Sequence, residues 1–190
     1  MRPTDQPGRS TAAAFSLPEL LLALALALVL ATVVVRGLMG AGQAGERLGL
    51  LMRERLVQRR TLALLRAELE AAQSWAVGSG AGAECALGGR TPVLLLEAEG
   101  RRITYSLGAA PSAIWRGRVL MRCGPAYGLW GEWSAGVAQN RVVLDALAPE
   151  GLVVEQENPG VARLRLRQEL PLRGGVVLPL GLETRAAVRP

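Results

Sequence analysis

The longest apolar run in the chain occupies residues 20–35 and ends at Arg36. Residues 1–14 before it are polar, slightly basic and rich in turn formers. Sixteen helical residues span about 24 Å, a little short of the roughly 30 Å hydrocarbon core of a bilayer. Counting from Phe15 adds about a turn and a half, so the pattern predicts a crossing helix over 15–36. Leucine and alanine dominate the run, and both favour helix. Residues 37–49 then carry Gly37, Gly40, Gly42, Gly45 and Gly49. At about 1 kcal/mol per glycine, a hinge or locally melted stretch is expected; a continuous helix held by neighbours is the alternative. Over 50–78 the apolar spacing returns to three and four, at Leu62, Leu65, Leu69, Ala72 and Ala76, with Leu48, Met52 and Leu56 marking an adjoining stripe. Arg53, Arg55, Arg59, Arg60, Arg66, Glu68 and Glu70 take the remaining positions. This predicts an amphipathic helix ended by Gly78-Ser79-Gly80.

Beyond Gly82 the texture changes to short apolar runs broken by glycine and proline. Strands are expected over 91–97 and 101–107, joined at Glu99-Gly100, and over 114–121, 141–147, 151–156 and 161–169. In the last, Leu164 and Leu166 alternate with Arg163, Arg165 and Arg167, the period-two pattern of a strand with one charged face. Short connections favour antiparallel pairing. Helix first and sheet second makes the expected class α+β: a long N-terminal helix packed on a C-terminal antiparallel sheet, the head domain covering 79–190.

Composition narrows the chemistry. The chain has 190 residues, is 50% hydrophobic with mean hydropathy +0.25, and carries a net charge of +6. Every basic residue is arginine, and these are spread along the chain, as expected of solvated faces; a nucleic-acid-binding surface is the competing reading. There is no histidine, and the only aspartates are Asp5 and Asp145. The commonest general base and the commonest zinc ligand are therefore missing. No phosphate-binding glycine loop, metal-ligand spacing or nucleophile–base pair is visible. The chain reads as a non-enzyme without a cofactor or metal. Cys85 and Cys123 lie beyond the apolar run. In an oxidising compartment they are expected to pair, with two buried free thiols as the alternative.

The residues entering the apolar run are the most specific. A plain membrane anchor does not account for Glu19, because an acid at an inserted position costs about 2.5–3.5 kcal/mol and needs a partner. The segment Ala14-Phe15-Ser16-Leu17-Pro18-Glu19-Leu20-Leu21 resembles the leader junction of type IV pilins and pseudopilins. The resemblance implies removal of a leader (residues 1–14) by cleavage between Ala14 and Phe15, with methylation of the new Phe15 amine. It makes Glu19 the assembly residue, paired with that amine on a neighbouring subunit. Such a pair fixes register more than it adds stability, since either charge alone is costly in a low-dielectric bundle. The family usually has glycine before the cut, and this chain has Ala14 instead.

Looser likenesses join the sheet half to the larger W-type minor pilins and J-type pseudopilins: Ile103-Thr104-Tyr105-Ser106-Leu107, Ile114-Trp115-Arg116 and Arg141-Val142-Val143-Leu144-Asp145-Ala146-Leu147. The expected function is a minor subunit of a type IV pilus or type II secretion filament, single-pass in the inner membrane with its C-terminal domain outside the cytoplasm. Its implied partners are other pilin or pseudopilin subunits, a prepilin peptidase and the inner membrane. Two other readings stand beside it: a pilus-tip module that binds DNA or a surface through its arginines, and an unrelated single-pass anchored protein. Tyr127, Trp130 and Trp133, set among glycines, either bind a partner or fold back onto the sheet.

Overall fold

The computed structural model describes residues 16–78, 82–172 and 175–189, without the side chains of 40–44 and 46. It holds one long helix, α1 (Leu17–Ala71), followed by seven strands. These are β1 (Ser74–Val77), β2 (Thr91–Ala98), β3 (Arg101–Ala109), β4 (Arg118–Gly124), β5 (Gln139–Asn158), β6 (Val161–Pro171) and β7 (Val177–Ala187). They form a single antiparallel sheet in chain order, so every connection is a simple return. The class is α+β. The chain divides into two compact units, Met1–Leu51 and Met52–Pro190.

Helix α1 runs unbroken through 37–49, so the local melting expected at the five glycines is absent. Their cost, about 1 kcal/mol each, is set against the good helix formers on both sides. At its other end α1 stops at Ala71, short of the expected Gly78. Ser74, Trp75, Ala76 and Val77 instead pair with Glu97, Leu96, Leu95 and Leu94. Gln73 N–H donates to Glu97 O at 2.7 Å and starts the ladder. Tryptophan and valine lose rotamer freedom in a helix and fit a pleated surface, so the sheet takes this segment. Ala76 therefore belongs to β1, not to the helical stripe.

The β2–β3 hairpin turns at Glu99-Gly100 as its sequence predicts. Both residues have positive φ (51° and 72°), and the register closes Ala98 on Arg101. That is the geometry whose twist matches two antiparallel strands. The expected strand over 114–121 starts only at Arg118, because Gly117 adopts φ 57° and turns the chain just before it. Residues 141–147 and 151–156 are parts of one strand, β5, whose register with β6 shifts between Leu147 and Leu152. Strand β7 has no counterpart among the expected strands; Pro179 and Gly181 interrupt its apolar pattern, and it survives because it lies at the sheet edge.

One buried cluster joins Leu62, Leu65, Leu69 and Ala72 with Leu94, Leu96, Ile103, Tyr105, Leu120, Leu144, Leu164 and Leu166 of the strands. Each fully buried leucine removes apolar area worth about 1.5–3 kcal/mol. The second stripe differs from expectation: Leu48, Met52 and Leu56 are exposed.

Candidate assembly and partner-binding sites

Ala14 and Phe15, the expected cleavage pair, lie outside the described residues. Glu19 is described. It sits in the first turn of α1, is exposed, and is bonded to Ser16 just before the helix. Ser16 N–H and Ser16 Oγ each donate to Glu19 Oε2 at 2.9 Å, and Leu20 N–H donates to Ser16 O at 3.2 Å. This is one half of a capping box, in which an acid three residues into a helix reaches back to the cap residue. Pro18 is tolerated beside it because the first-turn N–H groups have no helical acceptor. Within one subunit Glu19 thus has a local role of its own.

After it, Leu17–Met39 is long and apolar enough to cross a membrane: 23 residues with mean hydropathy 2.5 and no burial. That length is about 35 Å of helix. From Leu17 to Met39 the large apolar side chains face outward, as do Leu48, Met52 and Leu56 further on. Such a surface is stable only in lipid or against other apolar surfaces.

Cys85 and Cys123 form the expected disulfide, with a Cα–Cα distance of 5.9 Å and a sequence separation of 38. Cys123 belongs to β4, whereas Cys85 lies in the connection before β2, so the bond fastens that connection to the sheet. Asn140 Nδ2 reinforces it by donating to Ala86 O at 3.1 Å. Closing a loop of this length is worth about 4 kcal/mol in the chain-entropy picture.

The sequence pattern misplaces Glu68 on the solvated face. It is 1% exposed. Its Oε1 accepts from Arg122 Nε at 2.7 Å and from Tyr127 Oη at 2.5 Å, while its Oε2 accepts from Tyr105 Oη at 2.5 Å. Arg122 also donates through Nη1 to Pro125 O at 2.8 Å, and its guanidinium lies 5.1 Å from the Tyr127 ring centre. Burial, and then the Glu68 charge, push the Tyr105 hydroxyl well above its ordinary range; Tyr127 is raised for the same reasons. A second cluster sits where Arg116 Nη2 meets Glu54 Oε1 at 2.8 Å and Asp145 Oδ1 at 2.9 Å. Burial pushes the Asp145 carboxyl up, but its bonds from Arg116 outweigh that and hold it below its ordinary value.

A signal for both clusters is present in the sequence. Glu54, Gln58, Thr61 and Glu68 share the three-and-four spacing of Leu65 and Ala72, and all are buried. They form a buried, polar-bearing stripe of the helix. Gln58 Nε2 donates to Leu180 O at 3.4 Å, and Thr61 Oγ1 to Val143 O at 3.2 Å. Each buried polar group needs such a partner. Glu68 accepts from Arg122, Tyr105 and Tyr127, and Glu54 from Arg116 alone, so both carboxylates tie the helix to residues far along the chain. Among the described residues no three His, Cys, Asp or Glu side chains gather as metal ligands.

The aromatic loop divides. Tyr127 and Trp133 pair as an isolated bridge, and Trp133 packs on the core. Leu129 and Trp130 stand at the tip, 97% and 93% exposed. The arginines divide as well. Arg163, Arg165 and Arg185 pair with Glu157, Glu155 and Glu157, respectively. Arg53, Arg55, Arg59 and Arg60 are exposed. Comparison with protein-family models, with curated proteins and with solved structures gave no match to this chain.

Proposed function

We propose that the chain is a minor subunit of a type IV pilus or type II secretion filament, anchored in the inner membrane and assembled through its N-terminal helix. The observation that carries the reading is the fully exposed apolar surface of Leu17–Met39, opened by the lone acid Glu19. Among the described residues that surface is exposed, and lipid before assembly and neighbouring helices afterwards would both cover it. Exposed Leu48, Met52 and Leu56 extend the apolar surface past the membrane-length segment, where lipid would not reach and a neighbouring subunit would. In the filament the Glu19 carboxylate exchanges its local Ser16 bonds for the freed amine of Phe15 on the next subunit. Two charges that are each costly alone then define one axial register. The head carries a disulfide, which suits an extracytoplasmic location.

The test is the N-terminus of the protein isolated from its own cells. Mass spectrometry is expected to find a chain that starts at methylated Phe15. A chain that still begins at Met1 leaves Glu19 without its counter-charge and overturns the proposal.

One observation favours a second reading. The Ser16–Glu19 bonds give the acid a use within a single chain, as the helix cap of an ordinary single-pass anchor. In that case the charge of Glu19 is dispensable and its hydrogen bonds are not.

A further inference from the structure

Strand β7 is a free edge of unusual length. It pairs with β6 over eleven residues, from Val161↔Ala187 to Pro171↔Val177, and among the described residues no strand lies on its other side. The direction of its backbone groups follows from the ladder. Val188 N–H donates to Gly160 O and Leu172 N–H to Val176 O, both at 2.8 Å. These two bonds lie in register with the β6–β7 ladder, one at each end of it. In an antiparallel pair hydrogen-bonded and non-bonded positions alternate, so the even-numbered residues of β7 bond inward to β6. The odd-numbered residues, Gly181, Glu183, Arg185 and Ala187, therefore turn both N–H and C=O outward. Pro179, which has no N–H, ends this open stretch. Natural edges of such length are commonly blunted by like charges, bulges or proline. Here the exposed side chains along the open stretch carry one acid and one base, two residues apart. Their bonds within the subunit, Arg185 to Glu157 and Glu183 to Arg163 at 3.5 Å, are surface pairs that a partner's charges can share.

That spacing is self-complementary. If two copies of β7 pair antiparallel about Thr184, the partner's Arg185 faces Glu183 and the partner's Glu183 faces Arg185. The same register sets Gly181 opposite the partner's Ala187. All four are outward-bonding positions, so backbone bonding and charge agree on one alignment. We propose that β7 is an interaction surface for a second copy of this chain, paired edge to edge by a twofold axis through Thr184. The mode is strand addition, in which main-chain bonds supply attraction and side chains fix register. The inference does not rest on the filament reading, because nothing in it involves Glu19 or the N-terminus.

Thr184→Cys in the full chain, in its native membrane, tests it. Two Thr184 positions would face each other at a non-bonded site, where Cα atoms approach to about 4.5 Å, within disulfide reach. Oxidation is expected to shift the protein to a reducible dimer made of two identical chains. Leu182→Cys, whose sulfurs would stand about 13 Å apart along the strands, is expected to stay monomeric. In the Thr184→Cys background, Glu183→Arg sets like charges opposite each other and is expected to abolish the dimer. Adding Arg185→Glu is expected to restore it, which separates lost pairing from lost folding. A Thr184→Cys protein that stays monomeric, links to a different protein, or links no better than Leu182→Cys overturns the proposal. So does a dimer that Glu183→Arg leaves undiminished.

Discussion

Two segments of one helix treat water in opposite ways. Over Leu17–Met39 the large apolar side chains are exposed. Over 54–72 the buried stripe carries Glu54, Gln58, Thr61 and Glu68 among its leucines, and these polar groups have partners in the strands or beside them. The first segment is specified by its surroundings, and almost any apolar residue would serve there. The second is specified residue by residue, because a buried polar group without its partner costs more than a lost contact. A helix can thus be generic over a stretch whose apolar side chains are exposed, and specific over a stretch whose polar side chains are buried with partners.

The sharpest way to break the contrast is at Glu68. Glu68→Ala would strand the buried Arg122 guanidinium and two tyrosine hydroxyls. It is expected to lower head stability by about 3–5 kcal/mol. Leu26→Ala, in the apolar segment, should leave head unfolding within about 0.5 kcal/mol of the original. Denaturant unfolding of the full chain in detergent, followed by tryptophan fluorescence, reads both, since Trp75, Trp115, Trp130 and Trp133 all lie in the second unit. Equal losses would erase the distinction.

Removing the Cys85–Cys123 bond by a double serine substitution comes next. It should cost about 3 kcal/mol, read in the same experiment, and leave membrane insertion of Leu17–Met39 untouched.

Acid and alkali probe the charged groups more gently. Glu157, bonded by Arg185 and then Arg163, has its pKa held down to about 2, and Asp145 is lowered by Arg116. Groups depressed on folding stabilise above their unfolded values and lose that contribution as pH falls through the folded ones. Head stability should therefore decline from about pH 4.5 downward. Tyr105 is raised on folding, so its contribution is complete below about pH 10 and is lost above it. Thermal unfolding across pH checks both limbs.

How much was legible follows the same division. The helix long and apolar enough to cross a membrane could be read from hydropathy alone, and the Glu99-Gly100 hairpin from turn chemistry, because each depends on local sequence. The end of α1 could not. Residues 74–77 keep a plausible helical spacing, and only pairing with β2 shows that the sheet takes them. Strand β7 escaped because Pro179 and Gly181 imitate a loop; at an edge they are tolerated. The Glu68 network escaped because a glutamate at helical spacing ordinarily faces water, and its partners Tyr105, Arg122 and Tyr127 lie far along the chain. The processing pair Ala14 and Phe15 stays a reading of sequence alone.

In the proposed filament the charge of Glu19, and not only its hydrogen bonds, serves assembly. Glu19→Gln separates the two: glutamine can keep the bonds from Ser16 but offers no carboxylate to a neighbour's amine. Incorporation into sheared filaments, measured by quantitative immunoblot against membrane-bound protein, is expected to collapse for both Glu19→Gln and Glu19→Ala, while Ser16→Ala, which loses only the cap serine's hydroxyl, is expected to assemble. Normal incorporation of Glu19→Gln would contradict the account and leave Glu19 as a helix cap.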